Sequence, residues 1–376
     1  MARSRPTVLI TGATGSVGRR LVADLITQTD WNLGLLVRDI AQARSLWGDH
    51  PRLQYVIGDV CQPALGLPLE EQRILSRSVH TVIHAAATTR FDLPLDQARA
   101  INVGGTESVL QLAGRFDVLE RVAVLSTVYV SGRRTGAILE TERSHHAGFV
   151  NTYEQSKFEA EAVVESMWHE LPCAIYRLST VIGDSVTGAV NHFTAPHQAL
   201  RLMYLGLASL LPGESTGPVD LIPVDVASHT LSILLTSSFQ PRSVYHIVAG
   251  PERSYTLTEL IDASYDAMAH LDPAWAARRY PKPVIVDRET FELFLRSVEE
   301  TGNPLLRGTL GALQHYAHQL TYPKAFDQTN VIAAYPSYPK EMPHVRTYYD
   351  KIVRYCLTTR WGRAVRARAA AHGISS

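Results

Sequence analysis

The sequence predicts an α/β chain: a doubly wound parallel sheet followed by a smaller, mostly helical C-terminal lobe that binds substrate. Three observations predict it. Thr7 to Ile10 is a short apolar run that enters a helical pattern (Leu21, Val22, Leu25, Ile26) through a turn holding Gly12, Gly15 and Gly18. Apolar strand-like runs then alternate with helical stretches, and from Pro251 onward helical patterns dominate. Strand, glycine turn and helix in that order are the opening of a Rossmann fold, so the expected division is a dinucleotide-binding domain over 1–250, with lobe insertions over 184–222, and a covering region over 251–376.

Composition bounds the partners. The 376 residues carry 36 basic and 36 acidic side chains, so no global field recruits nucleic acid or a membrane surface, and a small-molecule partner is expected. The cysteines, Cys61, Cys173 and Cys356, are odd in number and far apart, with no spacing that suggests zinc; no metal is expected. They read as incidental thiols in a reducing compartment. Met1 to Pro6 holds two arginines but no apolar stretch follows, and no run of about 18 apolar residues occurs, so the expectation is a cytoplasmic protein without an integral membrane segment.

In the opening turn, Gly12 permits a sharp bend, Gly15 a close approach to a pyrophosphate, and Gly18 tight helix packing, while the helix N-terminus offers N–H groups to the diphosphate. Leu33 to Val37 is a second strand ending at Arg38, where a Rossmann fold meets the adenosine ribose. Arginine there suits a 2′-phosphate and favours NADPH; Asp39 beside it leaves NADH open. Gln54 to Val60 is a third strand whose Asp59 suits the adenine amino group and whose Val60 packs on the ring, although a plain turn aspartate reads equally well. Thr81 to Ala87 is a fourth, with Ala85, Ala86 and Ala87 small enough for a cofactor to lie on bare backbone, and with His84 read as a packed side chain. Asn102, opening the next helix, reads as a tie between neighbouring strands.

Val122 to Val130 is a fifth strand ending in hydroxyls, and a helix opens at Tyr153 with Lys157 four residues on, which places phenol and ammonium on one face. An ammonium there lowers the phenol's pKa toward the working range, and Thr127 holds a substrate oxygen beside it. Ala174 to Gly183 is a sixth strand and Val244 to Val248 the last. Residues 198–211 form an apolar helix, read either as core or as one wall of an acyl pocket. Thr256 to Glu259 starts another helix, prolines and tyrosines cluster from Tyr316 to Tyr349 as an irregular cover, and Arg360 to Arg368 is a basic, helix-like tail.

These motifs resemble the extended short-chain dehydrogenase/reductase superfamily and, within it, the thioester reductase-like branch of fatty acyl-CoA reductases and the reductase domains of carboxylic acid reductases and nonribosomal peptide synthetases. The resemblance covers roughly residues 7–250. It rests on the glycine turn, Leu36-Val37-Arg38 with Ala43-Arg44, Gly58-Asp59-Val60, His84 to Ala87 with Phe91, Asn102-Val103, Ser126 to Val130, Tyr153 to Glu161 and Pro223-Val224-Asp225. Leu178 departs from it, standing where relatives often carry proline. The resemblance implies catalytic roles for Thr127, Tyr153 and Lys157. It implies cofactor contacts for Gly12, Thr14, Gly15, Ser16, Val17, Gly18, Arg38, Arg44, Asp59, Val60, Ala85, Ala86, Ala87 and Lys157. The activity implied is hydride transfer from NADPH to an acyl or carbonyl substrate, CoA-linked or carrier-bound, giving aldehyde or alcohol. An NAD(P)-dependent alcohol/ketone oxidoreductase or epimerase uses the same residues. A non-catalytic dinucleotide-binding protein is the remaining alternative, with the intact Tyr153 and Lys157 against it.

Overall fold

Runs of aliphatic residues without polar alternation make strands buried on both faces, and here they make one sheet. The computed structural model describes residues 5–300 and 317–363. Its seven strands are β1 (Thr7–Thr11), β2 (Asn32–Val37), β3 (Leu53–Ile57), β4 (Val79–His84), β5 (Arg121–Thr127), β6 (Cys173–Leu178) and β7 (Val244–Ile247). All pair in parallel, in the order β7-β6-β5-β4-β1-β2-β3. The order reverses between β1 and β4, which opens a crevice at their carboxyl ends, the place where open α/β sheets take ligands.

Helices α1 (Ser16–Gln28), α2 (Ile40–Trp47), α3 (Leu69–Ser78), α4 (Leu95–Ala113) and α5 (Thr152–Ser166) follow successive strands. The sheet lies between two apolar layers: Leu21 and Leu25 of α1 in one, Val109 and Leu110 of α4 with Val164 of α5 in the other. Helix α5 is anchored from below by a buried ion pair, Arg177 on β6 donating to both oxygens of Glu161.

Several expected elements stop earlier than their apolar runs suggest. β3 ends at Ile57 and β4 at His84, which leaves Asp59, Val60 and the three alanines in loops over the crevice. β5 ends at Thr127 because its hydroxyl accepts the N–H of Tyr129 (3.2 Å), folding the chain into a tight turn over Val128–Ser131. Beyond Leu178, Thr180–Val181 leaves the main sheet and pairs with Leu221–Ile222. The apolar helix expected over 198–211 is α6 (Ala195–Tyr204). It stops at Gly206 (φ +69), where a Cβ would meet the Tyr280 ring at 2.4 Å, and Leu210–Pro212 is a strand beside Val284–Val286.

α7 (Val224–Thr236) returns to the sheet, packing on α1 with Ser228 donating to Asp24 (2.6 Å). α8 (Leu257–Leu271), opened by a Thr256/Glu259 capping box, belongs to a second core. That core joins Met203, Leu211, Ile261, Phe291 and Ile352, and so draws chain from both sides of residue 250. Part of the region after 251 also rejoins the first domain. Lys324–Phe326 pairs with Gly136–Ile138, and Val331, Tyr335, Tyr338 and Met342 pack into the sheet-side core.

Tyr316, at the start of the expected proline/tyrosine cover, and the basic tail beyond Arg363 lie outside the described residues. Among the described residues no helix is long and apolar enough to cross a membrane, and no group of side chains could hold a metal. Cys61 is exposed, and Cys173 and Cys356 are buried free thiols.

Candidate active site

Two positions of the glycine turn admit only glycine. Gly12 adopts φ +72, and a Cβ on it would lie 2.5 Å from the Ala85 carbonyl carbon and the Ala86 nitrogen. A Cβ on Gly18 would lie 2.2 Å from the Gly12 oxygen. Between them run Ala13, Thr14, Gly15, Ser16 and Val17; the Arg19 Nε donates to the Thr14 carbonyl (2.9 Å) and holds the turn closed. Gly15 caps α1 without a side chain, so no side chain covers the N–H groups of the first turn. Backbone donors at a helix start, over a cradle that a Cβ would fill, fit the diphosphate of a dinucleotide.

The other predicted cofactor residues stand at neighbouring strand ends. Arg38 is exposed just past β2, while the Asp39 carboxylate accepts from Gln42 N (3.0 Å) and is committed to capping α2. Asp59 is half-buried after β3 and accepts from Cys61 N (3.0 Å), with Val60 buried against Gly105. Ala85, Ala86 and Ala87 follow β4. Arg44, on α2, lies 3.6 Å from Asp49 and over the Tyr55 ring.

Beneath the alanines runs a directed chain of hydrogen bonds. Ala86 N–H donates to the Thr11 hydroxyl (3.2 Å), and with the neutral imidazole protonated at Nε2 that hydroxyl gives its proton to His84 Nδ1 (2.8 Å). His84 Nε2 then donates to Thr106 (3.1 Å), which donates to the Asn102 carbonyl (2.7 Å). Each group has one donor and one acceptor in use only when the imidazole is neutral. Burial, with the Lys157 charge nearby, lowers His84 to about 3 and keeps it so. Asn102 ties the loop after β4 to α5, bonding Thr88 and the Ser156 hydroxyl (2.9 Å).

Asn151 caps α5 by accepting from Glu154 N (3.0 Å), which puts Tyr153 in the first turn and Lys157 one turn on. The Tyr153 ring keeps partial solvent access and packs on Phe91 (5.5 Å between centroids), while its hydroxyl is enclosed with the Thr127 hydroxyl beside it. Thr127 Oγ1 accepts from Tyr129 N, and its hydroxyl stands beside the phenol, where it favours the ionised form. The expected lowering of the phenol by the lysine is not what this arrangement gives. Burial pushes Tyr153 up to about 12, with the charges of Glu154 and Glu161 adding to the rise and Thr127 opposing it. The Lys157 ammonium donates instead to the Leu125 carbonyl (2.9 Å), and burial brings it down to about 8.

A further cluster next to the tyrosine has only a faint sequence signal. Glu154, 1 % exposed, accepts from Val150 N (2.9 Å), Asn151 Nδ2 (3.1 Å) and the amide of Gln319. Lys324 Nζ donates to Gln319 Oε1 (3.1 Å). The Asn151/Glu154 spacing is a capping signature legible in the sequence; nothing local marks Gln319 or Lys324 as its partners.

Comparison with known proteins places the chain in a family. The NAD-binding family model described as male sterility protein matches residues 10–231. A linear gramicidin synthase polypeptide of Brevibacillus parabrevis is 31% identical over 261 residues, 64% of this chain and 5% of that protein. Fatty acyl-CoA reductase wat of Drosophila melanogaster is 24% identical over 331 residues, 74% of this chain and 64% of that one. The chain thus spans less than two thirds of either relative. The crystal structure of the terminal R domain from the myxalamid PKS-NRPS biosynthetic pathway superposes with a TM-score of 0.76 at 25% identity, covering 96% of this chain and 92% of that one.

Proposed function

The chain belongs to the male sterility protein family of NAD-binding reductases, and from that premise we propose that it reduces an acyl thioester with NADPH. It is an NAD(P)-dependent oxidoreductase of the extended short-chain dehydrogenase/reductase type. The observation that supports the finer reading is the enclosed Tyr153 phenol with Thr127 beside it at the carboxyl end of β5, the same end of the sheet as the glycine turn.

Bound NADPH supplies the hydride. The chain's own residues handle the oxygen: as negative charge builds on it, the Tyr153 hydroxyl donates its proton, and the Thr127 proton stabilises the phenolate left behind. Lys157, held by Leu125, keeps a positive charge one turn below. From a thioester this gives a hemithioacetal, which expels thiol and leaves an aldehyde. NADPH is preferred because Arg38 at the β2 end suits a 2′-phosphate, whereas the Asp39 carboxylate, which would favour NADH, is occupied as a cap.

The test follows NADPH oxidation and thiol release together on acyl-CoA and carrier-bound thioesters. One thiol per aldehyde is expected. Turnover of hydroxy or keto compounds without thiol release across chain lengths overturns the thioester reading.

A further inference from the structure

A cleft edged by polar side chains and an apolar cavity lie back to back beside the second core. The cleft is lined by Tyr129, Asp220, Gln319 and Lys324. The cavity is lined by Leu200 and Met203 of α6, Ile261 of α8 and Ile352 of the helix Tyr349–Thr358. Val219, Leu257 and Leu320 line both, so these three aliphatic side chains stand between them. The cleft is joined to the reaction centre twice. Tyr129 N is bonded to Thr127, and Gln319 to Glu154, the neighbour of Tyr153.

Among the described residues no charged side chain lines the cavity. Its polar groups are already satisfied: His197 Nε2 bonds the Ile182 carbonyl (2.8 Å), and the Ser264 hydroxyl bonds Leu260 O (2.6 Å) and the Tyr349 hydroxyl (2.8 Å). Such a space is dry and takes hydrocarbon. Its volume is about 50 Å³. On a scale where one water needs about 10–15 Å³, that is room for about four methylene-sized groups.

We infer that the carbonyl substrate carries a short apolar tail, which passes between Val219, Leu257 and Leu320 and seats against Leu200, Met203 and Ile261, while its polar part stays in the cleft beside Tyr129 and Lys324. The inference rests on the carbonyl-reductase reading of the site and adds to it which part of the substrate is selected. Leu200, Met203 and Ile261 are then the residues that set chain length.

The experiment separates the two claims. Straight-chain alcohols from ethanol to octanol are titrated into the full chain by ligand-observed NMR with no nucleotide added, so binding is read without catalysis. Affinity is expected to rise about fourfold per methylene until the cavity is full and then to level off. Met203→Trp should move the plateau to shorter chains, and Ile261→Ala should move it to longer ones. Since Met203→Trp risks overpacking, the second variant gives an independent reading. An affinity independent of chain length in the unmodified protein, or a plateau unmoved in folded Ile261→Ala, overturns the inference. A plateau that moves as described, in a protein that turns over no thioester, upholds the cavity assignment and overturns the thioester reading instead.

Discussion

Gln319 reaches across 165 positions of chain to donate its amide to Glu154, the residue beside the reactive tyrosine, while accepting from Lys324 (3.1 Å) on its other side. The amide therefore lies between a buried carboxylate and a buried ammonium with its dipole aligned to both. Burial raises the acid and lowers the amine, and each is drawn back by the charge of the other.

Lys324→Met leaves Glu154 without its counter-charge. Removing one member of a buried pair costs on the order of 3 kcal/mol, so the urea midpoint should fall clearly. Adding Glu154→Gln to that variant should restore part of the loss, whereas a purely additive double mutant would show that the two residues are not coupled.

Tyr153→Phe should lower kcat by about a hundredfold or more with the fold intact by circular dichroism. Thr127→Val removes the donor to the phenolate, a charge-assisted bond of about 1.5–3 kcal/mol. The alkaline limb of the kcat profile, where Tyr153 loses its proton, should then move up by about one to two pH units. An unmoved limb would detach Thr127 from the tyrosine.

At the β2 end the two charged residues should separate cleanly. Arg38→Gln is expected to raise KM for NADPH at least about tenfold, one charge-assisted contact, with KM for NADH little changed. Asp39→Ala should leave the cofactor ratio alone and cost about 1 kcal/mol as a lost helix cap, read from denaturant unfolding.

Acid stability reports on the buried histidines. Burial depresses His84 and His246 to about 3 and His197 to about 4 from an ordinary 6.5. The unfolded chain takes up these protons first, so each histidine removes stability as pH falls below 6.5, at about 1.4 kcal/mol per unit. His84→Asn should flatten the slope of ΔG against pH by that amount. Glu140, raised by burial to about 7 from 4.5, contributes the opposite slope over that interval, so Glu140→Gln should steepen the fall.

Gly12→Ala and Gly18→Ala each drive a Cβ into backbone at 2.5 and 2.2 Å. Both should abolish dinucleotide binding, measured by NADPH fluorescence, and lower Tm. Gly15→Ala, whose nearest contact is 3.2 Å, should fold and bind more weakly.

The sequence by itself determined the parallel sheet, the glycine turn, the order of the strand ends that carry Arg38, Asp59, Ala85 to Ala87 and Thr127, and the helix that opens at Tyr153. These are local matters: an apolar run, a glycine with no steric alternative, a helical spacing of four. Tertiary structure decided where strands stop, because the hydrogen bond that ends β5 at Thr127 and the ring that packs under Gly206 depend on neighbours no run of residues displays. It also decided the electrostatics. The spacing of Tyr153 and Lys157 is visible in the chain, but the bond from Lys157 to Leu125 is not, nor is the enclosure of the phenol that sets the tyrosine high instead of low. The partnership of Glu154, Gln319 and Lys324 was likewise out of reach of the sequence, since burial and charge balance between segments far apart exist only once the second lobe has folded back against α5.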